Sequence, residues 1–174
     1  MRYFILFLYA ATIPAANWMI SNVGTMCIPD GPCLIPVGFG LMAPSGVLLI
    51  GVALVLRDFV HEQFGAKFAL FAVLIGAAIS LSVSPAAIAI ASAAAFLFSE
   101  LADWAVYSRL RARGMALAVL ASGLVGSVID SVLFVFIAFG GFDFAAGNTL
   151  AKIYASIVVA AVIFFWKRRS GAYQ

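Results

Sequence analysis

Arg57, Asp58, His61 and Glu62 close a hydrophobic run in the stretch LRDFVHEQFGAK. On a helix Asp58 and Glu62 are i,i+4 neighbours, as are Arg57 and His61, so two carboxylates share one face and two basic groups another. Ionisable groups at membrane depth are expensive and need partners: a cation on another helix, a proton, or a ligand that brings hydrogen-bond donors. A plainer reading makes the stretch the polar end of a membrane helix, with Arg57 and Lys67 snorkelling to the surface, an escape that Asp58 lacks. His61-Glu62 opens like a zinc-protease helix, but the chain has one histidine and cannot complete H-E-x-x-H. G-x-S-x-G is absent as well, so intramembrane catalysis is the least supported class.

Further groups of the same kind recur downstream. Glu100 and Asp103 are three apart in SELADWAVYSRL and face the same way on a helix, with Tyr107 one turn on. Asp130 falls inside one apolar run and Lys152 near the start of the next; Asn17 lies in the first run, and Ser80, Ser82 and Ser84 in the third. Two arrangements satisfy such groups, a lattice of salt bridges or a cavity that holds a polar ligand. Asp130 and Lys152 could simply pair. Asp58, Glu62, Glu100, Asp103 and Asp130 together outnumber the cations near them, which leaves donors to be supplied by protonation or by a ligand.

The elements that position these groups are membrane helices. The 174 residues are 66% hydrophobic and 10% charged, against about 25% charged in a soluble domain. Continuous apolar runs, without alternation, favour helices over a barrel. Six spans can be drawn, at about 3–21, 44–60, 67–83, 85–107, 115–139 and 150–166, each near the length of about 20 residues that crosses a bilayer. The expected fold is an all-α integral membrane protein, one transmembrane domain over residues 1–174, built as a bundle of six helices in the cell inner membrane. Arg2, the 57–67 region, Arg109, Arg111, Arg113 and Lys167 to Arg169 sort to one side, so both termini are expected in the cytoplasm. Lys152 is the exception. The net charge of +3 is accounted for by these helix ends, which leaves no basic face for nucleic acid.

The start, MRYFILFLYAATIPAAN, reads either as a cleaved signal peptide or as the first span; apolar character continuing through Ile20 favours the span. Cys27 and Cys33, in GTMCIPDGPCLIP, suit a disulfide in an oxidising compartment or free thiols better than a metal, since two thiols do not make a zinc site. No metal or cofactor is expected. Ala87, Ala91 and Ala95 recur four apart, as do Ala89 and Ala93, and the fifth span holds Gly123 and Gly126; such surfaces suit close helix packing and motivate a homodimer.

The pieces LRDFVHEQFGAK, SELADWAVYSRLRARG, SGLVGSVIDSVLFVFIAFG and TLAKIYASIV, in that order, resemble the VUT family of queuosine-precursor transporters. The likeness runs from the second span to the sixth. The family's pattern is a T-D or R-D pair before an acidic or polar turn, Q/E-x-x-D on a later helix, D-x-x-x-F, and a lysine in the last span. By position it implies substrate-binding roles for Asp58, Glu62, Asp103, Asp130 and Lys152, with Asn17 a looser match. Arg57 stands where better-known members have threonine and Glu100 where many have glutamine, so the pocket charge differs.

The resemblance implies import of a purine-like base, 7-cyano-7-deazaguanine or 7-aminomethyl-7-deazaguanine, from the lipid bilayer's outer side. A carboxylate can accept the N1–H and amine of a guanine-like edge, and aromatic rings can sandwich the base. Phe59, Phe96, Trp104 and Phe134 are candidates for the sandwich, and Arg57, His61 and Tyr107 for supporting contacts around a cavity lined by Glu100, Asp103 and Asp130. No G-x-x-x-x-G-K occurs, so the chain carries no ATPase of that type. A substrate-capturing subunit of an energised uptake complex is the alternative.

Overall fold

The computed structural model describes residues 2–113 and 115–169. Among them six helices form: α1 (Arg2–Asn22), α2 (Val47–Phe64), α3 (Ala66–Ser80), α4 (Ala86–Leu110), α5 (Met115–Phe139) and α6 (Ala145–Arg169). They fall at the six expected places. Three stretches of the described residues, Tyr3–Asn22, Ala86–Leu110 and Ala121–Phe139, are long and apolar enough to cross a membrane. With 15 residues, α3 reaches only about 22 Å at 1.5 Å per residue.

The all-α expectation lacked one element. Between α1 and α2 the chain forms a three-stranded antiparallel sheet, β1 (Met26–Cys27), β2 (Cys33–Gly38) and β3 (Leu41–Pro44), in the order β1-β2-β3. Three prolines and two glycines within 24–36 argue against strands. The structure accommodates them with a disulfide joining Cys27 to Cys33, which are paired across β1 and β2, and with a register shift between Pro36 and Gly38. The β2–β3 turn runs through Gly38, Phe39 and Gly40, all at positive φ, a conformation that is cheap only for the two glycines. Because Leu41–Pro44 is a strand, α2 begins at Val47 instead of Pro44.

The sheet is fastened to the helices. Ser45 Oγ donates to the Met19 carbonyl at 2.9 Å, and the Ser45 amide donates to Cys33 O at 2.9 Å. Leu34 and Ala43 are buried.

Gly65, at φ +85°, is the single residue between α2 and α3, so the chain reverses in one step. Tyr3 meets Phe64 at a ring separation of 5.8 Å, which sets the start of α1 beside the end of α2. The Gly65 corner and the Arg111–Arg113 turn therefore belong to one end of the bundle. The disulfide-closed sheet, the 81–85 turn and the 140–144 turn belong to the other.

Two apolar clusters hold the helices. Tyr9 and Ile13 of α1, Ala53 and Val60 of α2, and Ala69, Ala72 and Val73 of α3 form one, with Leu56 and Phe96 against it. Ile20, Ile88, Ala91, Ala95, Phe134, Val135 and Ala145 form the other, mainly between α4 and α5. Close crossings explain the glycines. Pro14 has no N–H to give the Ala10 carbonyl its helical bond, and α3 comes close there at Gly76, where a Cβ would lie 2.9 Å from Ala10 O and 2.8 Å from Ile13 Cδ1.

Among the described residues α2 packs on α1, α3 and α6, and α4 packs on α3 and α5 and lightly on α1; α6 also packs on α5. The helices thus close a ring from α2 through α3, α4, α5 and α6 back to α2.

Candidate functional site

One stripe of α4 carries several of the polar groups. Ser92, Phe96, Glu100, Asp103 and Tyr107 recur at spacings of three and four, which places them in line on one helical face. Sequence spacing predicted the Glu100, Asp103 and Tyr107 part; Ser92, two turns before Glu100, belongs to the same line and was missed.

At the sheet end of the stripe Asn17 of α1 is 1% exposed and joins three helices. Its Nδ2 donates to Ser80 Oγ of α3 at 3.0 Å, and its Oδ1 accepts from Ser92 Oγ of α4 at 2.8 Å. Ser80 Oγ in turn donates to Gly76 O at 2.8 Å. Asn17 therefore acts as a cross-link between helices, with both ends of its amide engaged.

Midway along, Glu100 forms an ion pair with Arg57 of α2. The two side chains are 29% and 25% exposed, respectively. Arg57 does not snorkel to the end of its helix; it reaches across to α4. One turn further, Asp103 is half-buried against Gly126 of α5, where a Cβ would lie 3.5 Å from Asp103 Cβ and from Ser99 O. Asp103 has no hydrogen-bonding or ionic partner among the described residues, unlike Glu100.

A second ion pair joins α5 and α6. Lys152 is 3% exposed, and its Nζ donates to Asp130 Oδ2 and, at 3.1 Å, to Ser131 Oγ. Ser131, fully buried, was also missed; its place directly after Asp130 was the available signal. Lys152 thus has its charge compensated within the helix pair, which accounts for a lysine towards the end of the bundle that is otherwise free of basic residues.

Several aromatic candidates go elsewhere. Trp104 is 69% exposed and points outward, because it sits beside Asp103 in sequence and so on another face of α4. Phe134 belongs to the α4–α5 apolar cluster and meets Phe139 edge-on at 5.8 Å. Phe96 packs against the α1–α2–α3 cluster. Both rings are engaged in packing between helices. Asp58, His61 and Glu62 lie on α2, but their side chains, like that of Phe59, are outside the described residues.

An open apolar pocket of about 540 Å³ lies between the β2–β3 turn, α5 and α6, lined by Phe39, Leu41, Val128, Val132, Leu150 and Ile153 among others. No sequence-predicted site residue lines it. Among the described residues no group of three or more histidine, cysteine or acidic side chains could hold a metal.

Residues 81–166 match the model of the family described as "putative vitamin uptake transporter". This match, over about half of the chain, supports membership of the VUT family. The matched region contains all of α4 and α5 and most of α6, and with them Glu100, Asp103, Asp130 and Lys152. Asn17, Arg57, Asp58, His61 and Glu62 precede it. No curated protein and no solved structure matches. The family match and the three helices long and apolar enough to cross a membrane support a membrane protein of the transporter type, which is consistent with a small-molecule substrate.

Proposed function

We propose that this chain is a self-contained importer of a 7-deazaguanine base, 7-cyano-7-deazaguanine or 7-aminomethyl-7-deazaguanine, moved without an ATPase of its own. The observation that carries the reading is Asp103, a half-buried carboxylate on the polar stripe of α4 with no partner among the described residues. Such a group needs donors. A guanine-like edge presents two in parallel, N1–H and the exocyclic amine, and the two oxygens of one carboxylate accept both. Glu100 and Tyr107 flank Asp103 on the same stripe, and membership of a vitamin-type uptake family supplies the transport role.

Six membrane helices with both termini in the cytoplasm of a cell with an inner membrane complete the reading. It is supported by the gathering of the Gly65 corner and the arginine-rich turn at one end and of the disulfide, which needs an oxidising compartment, at the other. The homodimer uses a face other than the alanine stripe of α4, since Ala89, Ala91 and Ala95 are already buried inside the chain's own bundle.

Titration of the purified protein with 7-cyano-7-deazaguanine tests the substrate. Asp103→Asn, which turns one acceptor into a mismatched donor, is expected to weaken binding by about 1–3 kcal/mol. Unchanged affinity in a well-folded variant overturns the assignment of Asp103, and no binding by the wild type overturns the substrate. Uptake into proteoliposomes containing this chain alone separates a self-sufficient carrier from a capturing subunit.

A further inference from the structure

We infer that Asn148 of α6 reads the ligand: with the free oxygen of Asp130 it forms a docking site near the sheet end of the bundle for a neutral lactam edge. The inference rests on the transport reading and adds to it a second site, met before Asp103.

Asn148 is 3% exposed, and its side-chain amide has no hydrogen-bond partner among the described residues, while every other buried polar side chain among them is engaged. Asn17, also buried, shows the contrast, since both ends of its amide are bonded. A buried amide that uses neither its donor nor its acceptor costs free energy and calls for an explanation. The amide is not sealed off. Among the described residues the only fully enclosed side-chain oxygen or nitrogen without a partner is Ser21 Oγ, so the amide atoms of Asn148 border free space.

The neighbours of Asn148 on α6 show which way it faces. Ala145, Asn148 and Lys152 follow at spacings of three and four and so share one face of the helix. Ala145 joins the apolar cluster of Ile20, Ala91, Phe134 and Val135, and Lys152 meets Asp130 and Ser131 of α5, so this face is turned into the bundle. Thr149 and Leu150 line the open apolar pocket instead. Long side chains on a helix lean back towards its N-terminus, which carries the Lys152 ammonium, and Asp130 with it, towards the turn that holds Asn148. Lys152 takes Oδ2 of Asp130; Oδ1 has no donor among the described residues.

The free groups are thus one amide, a donor beside an acceptor, and one oxygen of a carboxylate whose charge Lys152 already offsets. A cation is not called for. A neutral ring with a lactam fits: its C=O accepts from Asn148 Nδ2, its N–H donates to Asn148 Oδ1, and an adjacent amine donates to Asp130 Oδ1. A guanine-like edge carries these three groups in that order. Asn148 lies in the first turn of α6, beside the sheet, and Asp103 lies towards the Arg111–Arg113 turn, so a base entering from the sheet side passes Asn148 first.

The test sets Asn148 against Asn17. Melting temperature and affinity for 7-cyano-7-deazaguanine are measured in mild detergent for wild type, Asn148→Leu, Asn148→Ala, Asn17→Leu and Asp103→Asn. Removing an unpartnered amide is expected to leave the better of the two Asn148 variants as stable as wild type or up to about 4 °C more so, whereas Asn17→Leu melts lower. Both Asn148 variants are expected to bind about 10-fold more weakly, the shift that follows loss of paired hydrogen bonds to the ligand. Melting below wild type in both shows a structural partner for the amide and overturns the site, as does unchanged affinity in a stable variant. Weaker binding by Asp103→Asn with unchanged binding by the Asn148 variants discards this site and keeps the importer; a wild type that binds neither this base nor guanine discards both.

Discussion

Lys152 of α6 is held by two consecutive residues of α5, donating from Nζ to Asp130 and to Ser131 Oγ at 3.1 Å, in a site where the lysine is 3% exposed. A buried pair of this kind is weak evidence for net stability, yet breaking it from one side is costly. Lys152→Met or Asp130→Asn alone is therefore expected to destabilise the protein by about 3–5 kcal/mol, because one charge or one donor set is left without its partner. The two changes together should recover most of that loss. Thermal unfolding in a mild detergent measures it, and a double variant no better than the singles would refute the pairing.

Asn17→Leu removes the hub between α1, α3 and α4 and leaves the Ser92 hydroxyl without its acceptor. The expected cost is about 1–3 kcal/mol, with Ser92→Ala milder because Asn17 keeps its bond to Ser80. Melting temperatures of the two variants should rank in that order. Equal stability of Asn17→Leu and wild type would show that the node contributes nothing.

Gly76 and Gly126 predict opposite outcomes for the same kind of change. At Gly76 even a Cβ would sit 2.8 Å from Ile13 and 2.9 Å from Ala10 O, so Gly76→Val forces α1 and α3 apart, at an expected cost of about 1–3 kcal/mol. At Gly126 the nearest atoms are 3.5 Å away, ordinary contact, so Gly126→Ala should lie within about 1 kcal/mol of wild type. Chemical or thermal unfolding of the two variants, with wild type alongside, decides whether these crossings are as tight as described.

Closure of the loop between Cys27 and Cys33 is expected to contribute about 2 kcal/mol, as chain-entropy estimates give for a ring of this size. Alkylating reagents should label neither cysteine until a reductant is added. The paired change Cys27→Ser with Cys33→Ser should lower the melting temperature while leaving the helical circular-dichroism signal unchanged, because the bond lies outside every helix. Labelling before reduction would contradict the disulfide.

Much of the helical frame was legible because an apolar run in lipid has few ways to satisfy its backbone. Residues 115–139 were expected as one span and form one helix, Met115–Phe139. Asp103 and Glu100 were placed on one face by a spacing of three alone, since a helix brings such positions together wherever it stands. The strands between Met26 and Pro44 were not legible, because their pairing depends on the Cys27–Cys33 bond and on a register that proline-rich sequence conceals.

Partners were the larger gap. By itself the sequence determined that acidic groups exceed cations in the apolar spans, that Asp130 and Lys152 could pair, and that Ala91 and Ala95 sit on a packing surface. Only the tertiary structure decided that Glu100 meets Arg57, 43 residues away, that Asp103 meets a glycine instead of a cation, that Ala91 and Ala95 pack within their own chain, and that Trp104 faces outward. The reason is that a membrane helix is apolar on both its inner and its lipid-facing sides, so hydrophobicity does not mark which face is interior. An ion pair is a matter of distance between helices, and that distance exists only once the ring has closed.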